Sequence, residues 1–301
     1  MSTGRKNQSR NNKSRSRRAI LLLAVIAASL VAIIVLLPTN RGRQLPEAEQ
    51  PRESVPQQTE EGAPPERQPR RERPVPKVRI AVVIDDVGYN LEQLEAFLGF
   101  PGPISLSVLP NLPYSSESAR RVAEAGKELL LHMPMEAVNG NDPGPGAILT
   151  TQSDEEIRRL LENSFSQVPQ AVGMNNHMGS RATADERVMN VVMDYLRSSR
   201  RFYLDSRTTA ESVGAGVAKL YDVPFLERDI FLDNEPESEA IQTALESGIQ
   251  VAREKGYAVL IGHIHNPQIV DVIEQLLDEL EKAGVELVPV SALIEESGED
   301  S

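Results

Sequence analysis

The sequence contains no cysteine. That absence removes disulfides, thiolate nucleophiles, cysteine-ligated zinc and iron–sulfur clusters from the chemistry open to the chain. Any metal site has to be assembled from His, Asp, Glu and water. At 301 residues the chain is long enough for one large domain with appendages or for two ordinary ones, and a core of that size holds without disulfides. Positive charge is the second scarcity, and it is local. Residues 78–301 carry 17 Lys+Arg against 37 Asp+Glu. Such a surface repels nucleic acid phosphates, which are bound mainly through cationic side chains, and this argues against a DNA or RNA partner. It is compatible with a neutral or cationic substrate, and equally with a plain solvated acidic surface.

Basic residues are concentrated instead at the start, where Arg5, Lys6, Arg10, Lys13, Arg15, Arg17 and Arg18 stand in 1–18 without an acid. Behind them Ala19 to Leu37 reads AILLLAVIAASLVAIIVLL, with Ser29 as its one polar residue. As a helix this run rises roughly 28 Å, close to the ~30 Å hydrocarbon thickness of a bilayer. A buried core helix would not be apolar all round behind a basic cluster. A cleaved signal peptide has a shorter apolar run of about 7–15 residues, and Pro38-Thr39-Asn40-Arg41 offers no small-x-small cleavage pattern. The expectation is an uncleaved membrane anchor over 19–38. The positive-inside bias keeps 1–18 in the cytoplasm and puts the C-terminal mass on the extracytoplasmic, periplasmic side.

Residues 39–77 hold eight prolines, eight basic and seven acidic residues and no aromatic. That composition buries too little apolar surface to offset chain entropy, so the stretch reads as a disordered linker. In polyproline form it reaches on the order of 100 Å. It is either a plain spacer or a tether that lets a domain search the envelope volume.

From Val78 the pattern changes to short aliphatic or β-branched runs alternating with amphipathic stretches. Strands are predicted at 78–84, 104–109, 128–132, 171–176, 201–205, 225–233, 257–264 and 285–290. Helical patterns fall between them at 115–127, 153–168, 183–199, 238–256 and 266–284, several opening on Ser, Thr or Asp and closing on Gly. Ser153-Asp154-Glu155-Glu156 reads as a capping box. The alternation predicts one α/β domain over 78–301 with a mainly parallel sheet, closed as a barrel or open and doubly wound.

The polar residues fall on one feature of this pattern. Asp85 and Asp86 follow the first strand, His132 ends the third, and His177 sits just past the fourth. Asp205 and Asp233 end the fifth and sixth, while His263 and His265 close the seventh. All four histidines of the chain therefore lie at C-terminal strand ends, the rim where α/β barrels carry their active sites. In Asp85-Asp86-Val87-Gly88, adjacent carboxylates share a site only if the chain turns there. One would then bind a metal while its neighbour acts as a base, or the pair is a turn. His132-Met133-Pro134-Met135-Glu136 offers an imidazole for a metal, with Glu136 a ligand, a support for one, or a loop carboxylate. Asn175-Asn176-His177-Met178-Gly179-Ser180 groups hydrogen-bonding side chains around a histidine, then a glycine that allows close backbone approach. His263 and His265 at i, i+2 are either a ligand pair or one catalytic imidazole beside a structural one. Asp205-Ser206-Arg207-Thr208 orients a histidine, contacts a substrate, or caps a helix.

In chain order, with the Asp205 motif before Gly262-His263-Ile264-His265-Asn266-Pro267, these five motifs resemble the divergent polysaccharide deacetylase family, over about 78–294. The resemblance implies a distorted (β/α) barrel of about seven to eight units and kinship with metal-dependent carbohydrate deacetylases. It implies Asp85 as base and Asp86 and His132 as ligands of a divalent metal, with zinc expected. Glu136 stands where those deacetylases carry a second histidine, and His177 is the imidazole that takes its part. His263 corresponds to their proton donor, Asp205 is assigned to orienting an imidazole, and Glu136, Asn176, Ser206 and His265 are further candidates. The implied function is hydrolysis of acetyl groups from an envelope polysaccharide. A non-catalytic glycan-binding protein on the same barrel is the alternative, and an amidase or esterase for another acyl group is a third.

Overall fold

The computed structural model describes residues 77–297. The predicted basic segment 1–18, the anchor 19–38 and the linker 39–77 lie outside the described residues, Lys77 apart. Among the described residues no helix is long and apolar enough to cross a membrane.

Nine strands form one parallel sheet: β1 (Val78–Val87), β2 (Ser105–Val108), β3 (Glu128–Met135), β4 (Gly173–Met178), β5 (Phe202–Asp205), β6 (Phe225–Glu227), β7 (Ile230–Phe231), β8 (Tyr257–His263) and β9 (Val285–Val288). Eight follow the path β6-β5-β4-β3-β2-β1-β8-β7, and β9 pairs with the start of β1. The helices are α1 (Glu92–Leu98), α2 (Ser115–Glu124), α3 (Asp154–Gln167), α4 (Glu186–Ser199), α5 (Gly214–Tyr221), α6 (Ser238–Lys255), α7 (Gln268–Lys282) and α8 (Val290–Ser297). The result is a half-barrel of parallel strands with crossover helices, a (β/α) barrel-like fold. The run expected as a single strand at 225–233 is broken at Arg228 and Asp229. β6 ladders with β5, and β7 with β8. At the break Arg228 N donates to Asp205 O at 2.9 Å, and Asp229 N donates to Val259 O at 2.8 Å. The segment thus changes partner strand midway, and no ladder joins β6 to β7. The capping box forms as predicted, with the Ser153 hydroxyl accepting from Glu156 N and Ser153 N donating to the Glu156 carboxylate.

Period-two alternation sorts the core into two layers. Ile80, Val82, Ile84, Leu131, Met133 and Leu260 point outward, into the layer under the helices. Ala81, Val83, Leu130, Phe202, Leu204, Val259 and Ile261 point inward. The inner layer is closed from below by α8, which the sequence patterns did not predict; its Val290 and Leu293 join the inner cluster. Val290 N also donates to the Ser105 hydroxyl at 3.2 Å. The inward columns of β1, β5 and β8 are apolar low in the barrel and polar at the top, while Ser105 on β2 and Glu128 on β3 bond to each other and to the start of α8 at the base. Following the same faces upward gives Asp85 on β1, Ser107 on β2, His132 on β3, Asn175 and His177 on β4, Ser206 just past β5 and His263 on β8. A closed, mainly apolar floor and a polar mouth come from the same alternation.

Candidate metal centre and active site

β1 delivers two carboxylates because its chain turns where the sequence required. Its register with β2 shifts between Ile84 and Val87, and Asp86 takes a left-handed backbone with φ +65°. Gly88 follows at φ +133°, a conformation side chains disfavour. Asp85 therefore stays on the inner face, buried, while Asp86 swings its carboxylate to the same side. On the neighbouring strands His132 is in register with Asn175, and Pro134 with His177. Past β4, Met178 and Gly179 are both left-handed. A Cβ on Gly179 would lie 3.1 Å from that of Met135, so the expected close approach of backbone is present.

Asp86, His132 and His177 meet at one point. Asp86 Oδ1 lies 3.2 Å from His132 Nε2 and 2.9 Å from His177 Nδ1, and the two ring nitrogens are 3.2 Å apart. Ligands about 2.0–2.1 Å from a tetrahedral cation are about 3.3 Å from one another, so the spacing is that of a coordination shell drawn slightly tight.

The wiring behind the triad says which atoms carry protons. The Asn175 amide donates to Asp85 Oδ1 at 2.8 Å and to the Ser206 hydroxyl at 3.3 Å. The carboxylate only accepts, which fixes the amide's orientation. Its oxygen therefore faces His132 Nδ1 at 2.8 Å and the Ser107 hydroxyl. His132 Nδ1 must carry the hydrogen, which in the neutral ring leaves the Nε2 lone pair aimed at the triad. Asp86 Oδ1 is buried with no hydrogen-bond partner. An orphaned carboxylate oxygen beside an imidazole lone pair is satisfied by a cation, and the donor set of one carboxylate and two imidazoles fits a divalent one. Among the described residues two such groups occur, this triad and Asp233 with His263 and His265.

The electrostatics follow from the same packing. Burial disfavours charge on Asp86, but the His132 and His177 rings outweigh it and hold the carboxyl well below its usual range. Burial also opposes charge on His132, yet Asp85 and Asp86 raise its pKa above the ordinary value. Asp85, 2 % exposed, is raised by burial, against the pull of His132, His263 and Asn175. His263 is the register partner of Asp85 across the β1–β8 ladder. Its Nδ1 is 2.9 Å from Asp233 Oδ1, and its backbone N donates to Asp233 Oδ2 at 3.0 Å. Burial alone would lower the His263 pKa; Asp233 first, then Asp85, push it up to about 9.

Five expected residues lie away from this point. Asp205 is on the outward face of β5, opposite to Leu204. Its oxygens accept from Arg207 N at 2.7 Å and the Ser212 hydroxyl at 2.5 Å, so it ties down its own loop and meets no imidazole. The carboxylate that does hold an imidazole is Asp233. Asn176 alternates outward from Asn175 and accepts from Tyr203 Oη and Ser206 N, both at 3.0 Å. Glu136 is engaged by Thr150 N and Oγ1 at 2.7 Å each and by Arg181 Nε at 3.1 Å. β3 runs straight through Pro134, and four strand residues rise about 13 Å, so Glu136 cannot share a shell with His132. Ser206 lies beneath the site, against Asn175, and His265 stacks on His263 with ring centroids 5.4 Å apart.

The sequence reading passed over Asn175, Ser107 and Asp233 as site residues. Strand alternation held the signal for Asn175, since His177 facing inward forces its i−2 neighbour inward too. Asp233 was placed at the strand-end rim but given no role, and Ser107 carried no such mark. The rim also exposes Tyr89 at 57 %, Tyr114 at 41 % and Val138 at 59 %, on the loops after β1, β2 and β3. Tyr114 N donates to Gly88 O at 3.2 Å, which joins the first two of those loops.

With the geometry in place, comparison with known proteins gives the following. Residues 82–294 match the divergent polysaccharide deacetylase family. A Haemophilus influenzae protein described as uncharacterised is 36% identical over 202 residues, covering 67% of this chain and 72% of that protein. The protein YibQ of Escherichia coli K12, also described as uncharacterised, is 33% identical over 228 residues, covering 76% and 71%. Among solved structures, an uncharacterised protein of Agrobacterium tumefaciens C58 superposes with a TM-score of 0.69 at 23% identity, covering 74% of this chain and 92% of that one. At that identity the likeness speaks to the fold.

Proposed function

The chain belongs to the divergent polysaccharide deacetylase family, and we propose that it is a metal-dependent hydrolase that removes acetyl groups from an envelope polysaccharide. The observation that carries the proposal is the convergence of Asp86 Oδ1, His132 Nε2 and His177 Nδ1 within 3.2 Å of one another, beside a buried carboxylate and a charged imidazole. Three protein ligands with the rest of the shell open is the arrangement of catalytic rather than structural zinc, so Zn²⁺ is the cation we assign. When bound, it supplies Lewis acidity toward the acetyl carbonyl and lowers the pKa of a water.

The chain's own residues do the rest. Asp86, His132 and His177 hold the cation. Asp85, pinned by Asn175 and raised in pKa by burial, takes the proton from the attacking water. His263, kept charged by Asp233, gives a proton to the departing sugar nitrogen or oxygen. Water and the acetylated sugar thus become acetate and the free amine or hydroxyl. Asn175 positions both His132 and Asp85 through one amide. The exposed Tyr89 and Tyr114, on joined loops beside the Asp85–Asp86 turn, offer rings for a saccharide to stack on, which supports a polymeric glycan over a small acyl compound. The apolar run at 19–38 behind its basic flank supports a membrane anchor, with the domain on the periplasmic side of the linker at 39–77.

Acetate release from N- and O-acetylated glycans, assayed together with zinc content, tests the proposal. Turnover that depends on zinc is the expected result. Glycan bound and zinc held without acetate release would favour the non-catalytic glycan-binding reading.

A further inference from the structure

His265 has no part in the mechanism above, yet it completes a second group of ligands. We propose that Asp233, His263 and His265 form a second, weaker cation site, and that a cation there takes His263 out of service as a proton donor. The ligand atoms of the three residues all lie within 4.8 Å of one another. Asp233 is fixed: its side chain is 1% exposed, and both its oxygens are engaged by His263, through Nδ1 at 2.9 Å and backbone N at 3.0 Å. The imidazoles stand at i, i+2, and their rings lie nearly parallel with an interplanar angle of 24°. His265 is exposed, so an ion enters from solvent over it. One carboxylate and two imidazoles are the same donor set as in the triad, and they suit the same metal.

Affinity is lower here for two reasons. The triad atoms already sit at 2.9–3.2 Å, whereas His265 must be ordered from solvent at an entropic cost. A cation in the triad also repels a second one. Release of the His263 proton on binding removes one competing positive charge beside the Asp233 carboxylate. On binding, the His263 Nδ1 proton leaves to solvent and its lone pair goes to the cation. The ring that remains is neutral, and its other N–H is too weak an acid to serve a leaving group. Excess zinc is therefore inhibitory. This consequence rests on the proposed hydrolase reading, while the binding itself does not.

Zinc titration calorimetry on metal-free full-length protein tests the site, with acetate release followed in parallel. Two binding steps are expected in the wild type. His265→Ala should weaken the second at least about ten-fold, and His177→Ala should remove the first and leave the second. Acetate release should fall across the second step in the wild type and not in His265→Ala. Saturation at one zinc per chain, or a second step unchanged by His265→Ala, would overturn the proposal. Loss of the tight first step in the wild type would count against the triad instead, and the His265→Ala comparison would still decide the second site.

Discussion

His132 and Asn175 face each other across the β3–β4 ladder, with the imidazole Nδ1 2.8 Å from the amide oxygen. The same amide holds Asp85 with its nitrogen, so one buried side chain sets the tautomer of His132 and the place of the Asp85 carboxylate. Removing it takes a partner from four buried polar groups, Asp85, His132, Ser107 and Ser206. Asn175→Ala should lower zinc affinity roughly 10- to 100-fold, as loss of a ligand's hydrogen-bonding partner does, and it should depress turnover further because Asp85 is freed as well. Competition against a chromophoric chelator measures the first effect, and kcat the second.

If His263 is the proton donor, Asp233 should set the alkaline limit of activity. A donor works only while protonated, and the His263 pKa is raised to about 9, so its contribution is present at neutral pH and fades as pH rises through that value. In Asp233→Asn the raising carboxylate is gone and burial pulls the other way. The alkaline limb of the pH–rate profile should then move down by more than a unit, toward or below the ordinary imidazole value of about 6.5. An unmoved limb would detach His263 from the rate.

Much of this was legible in the sequence. Alternating patterns gave the parallel α/β domain, and the placement of Asp85, Asp86, His132, His177 and His263 at strand ends anticipated their convergence. The turn needed to bring adjacent aspartates together is there at Asp86, with φ +65°. What failed to show has physical reasons. Asp205 ends a strand like the others, but a single residue of register decides between inner and outer face, and it points out. Glu136 was four residues from a histidine, a spacing whose meaning depends on whether Pro134 stops the strand, and it does not. The break at Arg228 and Asp229 cannot be read from an apolar run, because which neighbour a strand pairs with is a long-range choice. α8 is too short for its periodicity to stand out.

Asp205 and the triad should separate by experiment. Asp205→Ala deletes a buried carboxylate that accepts two hydrogen bonds. It should destabilise the domain by roughly 1–3 kcal/mol while zinc stoichiometry stays at that of the wild type. Denaturant unfolding and metal analysis on the same preparation check this. Glu136→Gln should likewise leave the metal in place.

Tyr89 and Tyr114 should act on binding rather than chemistry. Each ring lost from a stacking platform is worth about 1 kcal/mol, so Tyr89→Ala and Tyr114→Ala should each raise KM for a polymeric substrate roughly five-fold with little change in kcat. A short acetylated oligosaccharide that does not reach the rings should be insensitive. Steady-state kinetics on the two substrates decide it.

The most direct measurement is acetate release from an N-acetylated glycan by full-length protein stripped with a chelator and then titrated with Zn²⁺. Cation chemistry at Asp86, His132 and His177 predicts that activity vanishes on stripping, returns in proportion to zinc up to one per chain, and does not return in His177→Ala. Acetate release that survives complete removal of metal, or that stays absent with the triad filled, would contradict it.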